Sequence, residues 1–159
     1  MDLIAIRPYK VGEASYICYL QMELYDRVYG FKPVFEYYLL AGAAKFLADT
    51  EGGQIWVAVD GEKVIGSIAI VKAGEDTAQL RWFALDDRYH GKGLGKKLMD
   101  AAMGFCREQG YKQVYLWTVD ILYAARHLYE VYGFKLTDTK PNNEWTDSLL
   151  TEERWDITL

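Results

Sequence analysis

Residues 90–98 of this 159-residue chain read His90-Gly91-Lys92-Gly93-Leu94-Gly95-Lys96-Lys97-Leu98. An apolar run, Leu80–Leu85, precedes this segment, and apolar residues at helical spacing follow it. Three glycines at alternate positions allow backbone conformations that side chains forbid, and they let N–H groups approach a ligand closely. The start of a helix adds unpaired N–H groups and the positive end of the helix dipole. The segment therefore predicts a phosphate-binding loop between a strand and a helix.

The local charge favours the same interpretation. From Arg88 to Lys97 the chain has four Lys or Arg residues and no acid, although its net charge is −5. The field around the loop is therefore opposite in sign to that of the whole chain, and it attracts anions.

Two common phosphate-binding motifs fit this spacing less well. A Walker A loop would need a glycine at His90 and a hydroxyl at Lys97. A Rossmann fingerprint would place its third glycine one residue after Gly95, although Asp120 could imitate the acid that binds the ribose. A glycine-rich turn without a ligand is the remaining alternative. Such a turn would not need three glycines that lead into a helix with no acid nearby, so it explains the pattern less well than a phosphate-binding loop does.

The run from Leu80 to Gly95 resembles motif A of the GNAT superfamily of N-acetyltransferases. In that family a loop of the form Gln/Arg-x-x-Gly-x-Gly/Ala binds the pyrophosphate of acetyl-CoA, the acetyl donor. Aligned on Gly93 and Gly95, the Gln/Arg position is His90, which we expect to weaken binding only modestly because backbone N–H groups provide most of the grip. The resemblance implies that acetyl-CoA is bound by Phe83, Ala84, Leu85, His90, Gly91, Lys92, Gly93, Leu94, Gly95 and Lys96.

A second segment, Leu128–Phe134, resembles the end of motif B of the same family. There a helical tyrosine four residues before a Gly-Phe pair faces the coenzyme sulfur, and this position is Tyr129. Leu122 stands where many members have an Asn that contacts the pantetheine. The resemblance implies direct acetyl transfer to a primary amine in a ternary complex, with Tyr129 as the acid that protonates the leaving thiolate. Residues 88–98, 114–120 and 144–159 also resemble acetyltransferase domains that are often fused to winged-helix transcription regulators.

The residue that accepts the proton of the amine is left open by the sequence. The acids that could face the acceptor are Glu23, Asp26, Glu36 and Asp120. In the resembling family the early helices line the acceptor side, whereas Asp120 follows a predicted strand and could equally cap the next helix. One residue of the pair Arg81 and Trp82 is expected to point into the cleft. A coenzyme A-binding sensor or interaction module without transfer activity is the alternative function.

Length and composition predict a single domain over residues 1–159, with 51% hydrophobic residues to form its core, and the resemblance implies that it is an acetyltransferase domain. We expect a cytoplasmic protein with no bound metal and no nucleic-acid surface. We also expect no membrane segment, because the longest apolar stretch is shorter than the ~18 residues that a membrane-spanning helix needs. Cys18 and Cys106 are expected to be buried thiols. The predicted partners are acetyl-CoA and an amine-bearing substrate, with a homodimer left open.

The periodicity along the chain predicts an α/β fold of α+β character. Expected helices cover 12–29, 32–49, 94–110 and 121–132, and expected strands cover 3–7, 55–59, 64–71, 78–85, 113–118, 134–137 and 154–159. A polar loop is expected around Pro141-Asn142-Asn143. Together with the resemblance, this order implies a GNAT-like fold: a mostly antiparallel central sheet with one parallel, splayed pair and about four helices.

Overall fold

The computed structural model describes residues 4–159, which form one seven-stranded sheet with helices on both faces. The strands are β1 (Ile4–Pro8), β2 (Gln54–Asp60), β3 (Lys63–Lys72), β4 (Thr77–Leu85), β5 (Gln113–Val119), β6 (Lys135–Asn142) and β7 (Leu150–Thr158). The helices are α1 (Glu13–Tyr29), α2 (Pro33–Ala48), α3 (Leu94–Gln109) and α4 (Tyr123–Val131), with a single 3₁₀ turn at Asp87–Tyr89.

The strands lie in the order β1-β2-β3-β4-β5-β7-β6, and only β4 and β5 run parallel. Successive side chains of a strand point to opposite faces, so the sheet separates two apolar clusters. Ile55 and Val57 of β2 pack with α1 and α2, whereas Trp56 and Ala58 pack with α3. The central sheet is therefore buried on both sides, as the apolar runs of β2 and β3 require.

The side chains of β4 exchange faces of the sheet halfway along the strand. Ala78 and Leu80 pack with the α3 cluster, but Trp82 and Ala84 pack with the cluster under α1 and α2. A bulge produces the switch: the pairs Ser67–Ala84 and Ala69–Arg81 enclose one residue on β3 and two on β4. Trp82 takes the left-handed region with φ 49°, and its carbonyl accepts a 2.6 Å hydrogen bond from the buried Ser67 hydroxyl.

The two parallel strands separate soon after they meet. Their pairing covers Thr77–Gln79 of β4 against Gln113–Tyr115 of β5, and then ends. From there β5 continues against β7, while β4 continues against β3. The carboxyl halves of β4 and β5 thus enclose an opening in the middle of the sheet, which is where ligands bind in parallel α/β crossovers.

The structure confirms the predicted elements with end shifts of a few residues, except at the last two strands. The loop predicted around Pro141-Asn142-Asn143 is wrong, because Pro141 and Asn142 belong to β6 and β7 begins at Leu150. Pro141 is compatible with β6 because proline is found in edge strands, where one side of the backbone has no ladder partner. Leu3, predicted in the first strand, lies outside the described residues.

Cys18 and Cys106 are buried free thiols, as predicted. Burial raises the pKa of Cys18 to about 11 and that of Cys106 to about 12, so neither is an activated nucleophile. Within residues 4–159, no helix has both the length and the apolar character that a bilayer crossing would need.

The bulge gives a prediction for Ser67→Ala. Removing the hydroxyl leaves the buried Trp82 carbonyl without its donor, which should lower the free energy of unfolding by about 1–3 kcal/mol. Urea denaturation measures this change. The matched control is Ser15→Ala on the exposed side of α1, which should stay within about 0.5 kcal/mol of the wild type. Equal effects of the two substitutions would contradict a structural role for the Ser67 hydrogen bond.

Candidate active site

The glycine loop leads directly into α3. Gly91 and Gly93 have φ values of 81° and 76°, a region that other residues enter only with strain. Gly93 is the N-cap residue of α3, and no side chain caps the helix there. Among residues 4–159, the N–H groups of residues 91–96 find no backbone acceptor, and the first bonded amide is that of Lys97. The loop and the first turn therefore present a row of open donors, as an anion site requires.

A cavity of about 240 Å³, here called the loop-side cavity, lies between this loop, the end of β4 and α4. Its wall includes most of the residues predicted to bind acetyl-CoA: Phe83, Ala84, Leu85, His90, Gly91, Gly93, Leu94 and Gly95. Lys92 and Lys96 are not on this wall. The Lys92 ammonium lies 5.7 Å from the centre of the Tyr89 ring, and the Lys96 carbonyl accepts a hydrogen bond from the Tyr132 hydroxyl.

The side chains of the loop contribute less charge than the sequence indicates. His90 is exposed, and its Nε2 lies 3.2 Å from the Leu85 carbonyl oxygen. Arg88 is held by the buried Asp86 through contacts of 2.7 and 2.9 Å, and this guanidinium lowers the pKa of Asp86 to about 2. Arg88 is absent from the wall of the loop-side cavity. Main-chain amides are thus the principal donors for an anion at this loop.

The free edge of β4 borders the same cavity. Beyond Gln79 no strand within residues 4–159 pairs with the edge that faces β5, so polar main-chain groups of Phe83, Ala84 and Leu85 lack a ladder partner on that side. An extended ligand with amide groups can pair with such an edge as an added strand would.

A second cavity of about 290 Å³, here called the sheet-side cavity, lies where α1 and α2 face β4, β5 and β7. It shares Tyr25, Phe83, Leu122 and Ala125 with the loop-side cavity, so the two meet beside the bulge and the start of α4. Its wall is rich in aromatic side chains, which are Tyr25, Phe31, Phe35, Tyr38, Trp82, Phe83, Trp117, Tyr129 and Trp145. Arg81 and Trp82 both line it, whereas the sequence predicted only one of the pair in the cleft.

Tyr129 lies on the wall of the sheet-side cavity and is 4% exposed. Its ring packs against Phe83, Phe134 and Trp155, with centroid distances of 6.1, 6.0 and 6.4 Å. Burial raises the pKa of the hydroxyl above its usual value. The group therefore stays protonated at neutral pH, as a proton donor must.

The four acids predicted as bases lie off both cavity walls. Glu23 is paired with Arg27 at 2.7 Å, and both Asp26 and Glu36 are exposed. Asp120 accepts a 3.1 Å hydrogen bond from the Thr151 N–H. It makes no side-chain cap on α4, so the capping alternative is also wrong.

The acid that does line the sheet-side cavity is Glu152, which is 9% exposed. It accepts a 3.2 Å hydrogen bond from Asn142 Nδ2 and lies 4.0 Å from Lys140 Nζ. Sequence reasoning missed it because the last strand was predicted to begin at Arg154. Extending the alternation back to Leu150 would have put Glu152 on the face of the sheet that α1 and α2 cover.

No metal site accompanies these cavities in the part of the chain that the structure describes, where no three His, Cys, Asp or Glu side chains converge.

Comparison with known proteins assigns the chain to a family. The model of the acetyltransferase (GNAT) family matches residues 16–134. N-acetyltransferase 8B of Homo sapiens is 33% identical over 99 residues, which are 59% of this chain and 44% of that protein. N-acetylaspartate synthetase of Homo sapiens is 33% identical over 117 residues, or 69% of this chain and 39% of that protein. The chain thus spans less than half the length of these two relatives.

Solved structures show the same fold. An acetyltransferase of the GNAT family from Staphylococcus aureus Mu50 has a TM-score of 0.79 at 19% identity, over 98% of this chain and 99% of that one. The protein yncA of Salmonella typhimurium, in a structure with its cofactor acetyl-CoA, has a TM-score of 0.74 at 16% identity, over 98% of this chain and 94% of that one. The predicted fold class, a mixed sheet with one parallel pair and four helices, is confirmed.

Proposed function

Because the chain belongs to the GNAT acetyltransferase family, we propose that it transfers the acetyl group of acetyl-CoA to a primary amine of a small molecule or protein. The observation that carries the proposal is the row of open N–H groups at residues 91–96, which lies beside the unpaired edge of β4. The acetyl-CoA in the Salmonella structure and the names of the human N-acetyltransferase relatives support it. We assign all of residues 4–159 to this one domain.

The residues that line the loop-side cavity suit the pyrophosphate and the pantetheine arm of acetyl-CoA, which supplies an activated acetyl thioester when bound. The amides of residues 91–96 would hold its pyrophosphate, and the β4 edge at Phe83, Ala84 and Leu85 would pair with its pantetheine amides. Leu122 offers this arm an apolar contact only. Because main-chain N–H groups would donate most of the hydrogen bonds to the pyrophosphate, His90 in place of Gln or Arg still permits binding.

The junction of the two cavities is where transfer would occur. A neutral amine forms the new C–N bond to the acetyl carbon as the C–S bond breaks, with no covalent enzyme intermediate. Main-chain N–H groups near the bulge would stabilise the charge on the carbonyl oxygen. The Tyr129 hydroxyl would give its proton to the leaving thiolate, and Glu152 would attract the ammonium and take the proton that the amine loses.

A direct test combines calorimetry with acetyl-CoA and a thiol-release assay over polyamines, aminoglycosides, amino acids and peptides. We expect 1:1 binding of acetyl-CoA and thiol release with at least one amine. Binding without thiol release for any amine would favour the sensor or interaction module. Absence of acetyl-CoA binding would reject the proposal.

The proposed acid role predicts the behaviour of Tyr129→Phe. Loss of the hydroxyl should lower kcat about 10- to 1000-fold and leave the affinity for acetyl-CoA nearly unchanged. Steady-state kinetics and calorimetry measure the two quantities. Tyr123→Phe, at an exposed position of the same helix, is the control and should retain full activity. Unchanged turnover in Tyr129→Phe would remove this residue from the mechanism.

The acceptor-side carboxylate gives a separate prediction. Glu152→Gln keeps the shape and removes the charge, so kcat/KM for the amine should fall by about 10-fold or more while KM for acetyl-CoA stays unchanged. Glu36→Gln, an exposed acid of α2 outside both cavities, is the control. If the two variants behaved alike, Glu152 would have no part in handling the amine.

A further inference from the structure

Arg81 is a cation without a counter-charge on the wall of the sheet-side cavity. Its side chain is half-buried, and none of the ion pairs formed within residues 4–159 includes it. The ionisable groups that affect its pKa are the Tyr115 hydroxyl and the Cys18 thiol, and no carboxylate is among them. Burial lowers the pKa of the guanidinium, although arginine remains protonated in proteins. Buried charges are normally paired, so this group is suited to an anionic partner from outside the chain.

The fold holds this guanidinium in a defined place. Its Cζ lies 4.9 Å from the centre of the Trp82 ring. Gly42 of α2 passes directly over it, and a Cβ at that position would approach Arg81 Nη2 to 2.6 Å. Stacking and this niche restrict the rotamers of the side chain, but neither supplies an acceptor for its N–H groups.

Two buried side-chain atoms, carried by residues of the same cavity wall, have no partner within residues 4–159. They are the Trp82 Nε1 donor and the Gln21 Oε1 acceptor, on residues that are 5% and 7% exposed. Buried polar atoms without partners are rare, and each calls for an explanation. Both atoms are shielded from solvent, so the charge of Arg81 is the feature of this wall that indicates the chemistry of a ligand.

The remaining charges of the cavity do not cancel Arg81. Lys140 and Glu152 lie 4.0 Å apart and add one charge of each sign to the wall, and Lys140 also lies 4.7 Å from the centre of the Trp117 ring. The wall therefore carries one net positive charge amid aromatic side chains. Such a wall favours a ligand with an anionic group and an apolar body.

Resting on the proposed transferase function, we propose that Arg81 binds a carboxylate of the acceptor, which is an amino acid or a closely related amine with an apolar or aromatic side group. The amine of such a ligand lies within two bonds of its carboxylate carbon. Glu152 supplies the negative charge that the ammonium group needs before it loses its proton, and the aromatic wall packs against the side group.

Calorimetric titration of matched ligands tests the assignment. The pairs are phenylalanine and phenethylamine, tyrosine and tyramine, and leucine and isopentylamine, each measured with and without coenzyme A. We expect the wild type to bind at least one amino acid about 10- to 100-fold more tightly than its decarboxylated partner, in the range of a charge-assisted hydrogen-bonded pair. Arg81→Met should abolish this preference.

Arg81→Lys provides a second variant in case Arg81→Met folds poorly. It keeps the charge but loses the planar fork, so the preference should fall to a few-fold. Arg107→Met, at an exposed position of α3, is the control and should behave as the wild type. The assignment is overturned if no pair shows a carboxylate preference, or if the preference survives Arg81→Met.

Thiol release with the same ligands separates this inference from the proposed function. If the amino acids bind more tightly than their decarboxylated partners but no thiol is released, the proposed ligand class stands and the transferase function is rejected. Equal thiol release from amino acids and their decarboxylated partners keeps the transferase and rejects the role of Arg81.

Discussion

The early end of hydrogen bonding between β4 and β5 is the constraint on which the site depends. Pairing ends at Gln79 and Tyr115. The bulge at Trp82 then directs the side chains of Trp82 and Ala84 toward α1 and α2. An unpaired edge inside a sheet is costly unless a ligand or water satisfies it. The surrounding antiparallel pairs, β3–β4 on one side and β5–β7 on the other, hold the opening in place.

Two kinds of recognition meet at this opening. On the loop side, Gly91 and Gly93 shape the backbone so that amide groups point to one place, and the start of α3 adds its own donors. On the sheet side, the cavity is enclosed by side chains that seven different helices and strands carry, many of them aromatic. Phe83 and Leu122 belong to both walls, so the reacting groups of two ligands can meet there.

The sequence predicts the first half of this site far better than the second. The glycine loop is local: its ligand groups lie within a few residues, and their geometry follows from glycine and the helix start. The sheet-side cavity depends on distant residues. Whether Arg81 and Trp82 both line it is decided by the bulge, which strict alternation along β4 does not reveal. Glu152 is missed because the polar start of β7, Leu150–Glu153, falls in the loop that the sequence predicts before Arg154.

The same difference determines which residues can be substituted without loss of the proposed cofactor site. Amide donors do not depend on side-chain identity, so His90 can replace Gln or Arg and Arg88 can bind Asp86 while the row of N–H groups stays intact. In the sheet-side cavity a substitution can remove a polar group altogether, because the charged groups on its wall belong to side chains. Under the proposed function, selectivity for the acceptor would reside in residues such as Arg81, whose charge has no ion-pair partner within residues 4–159.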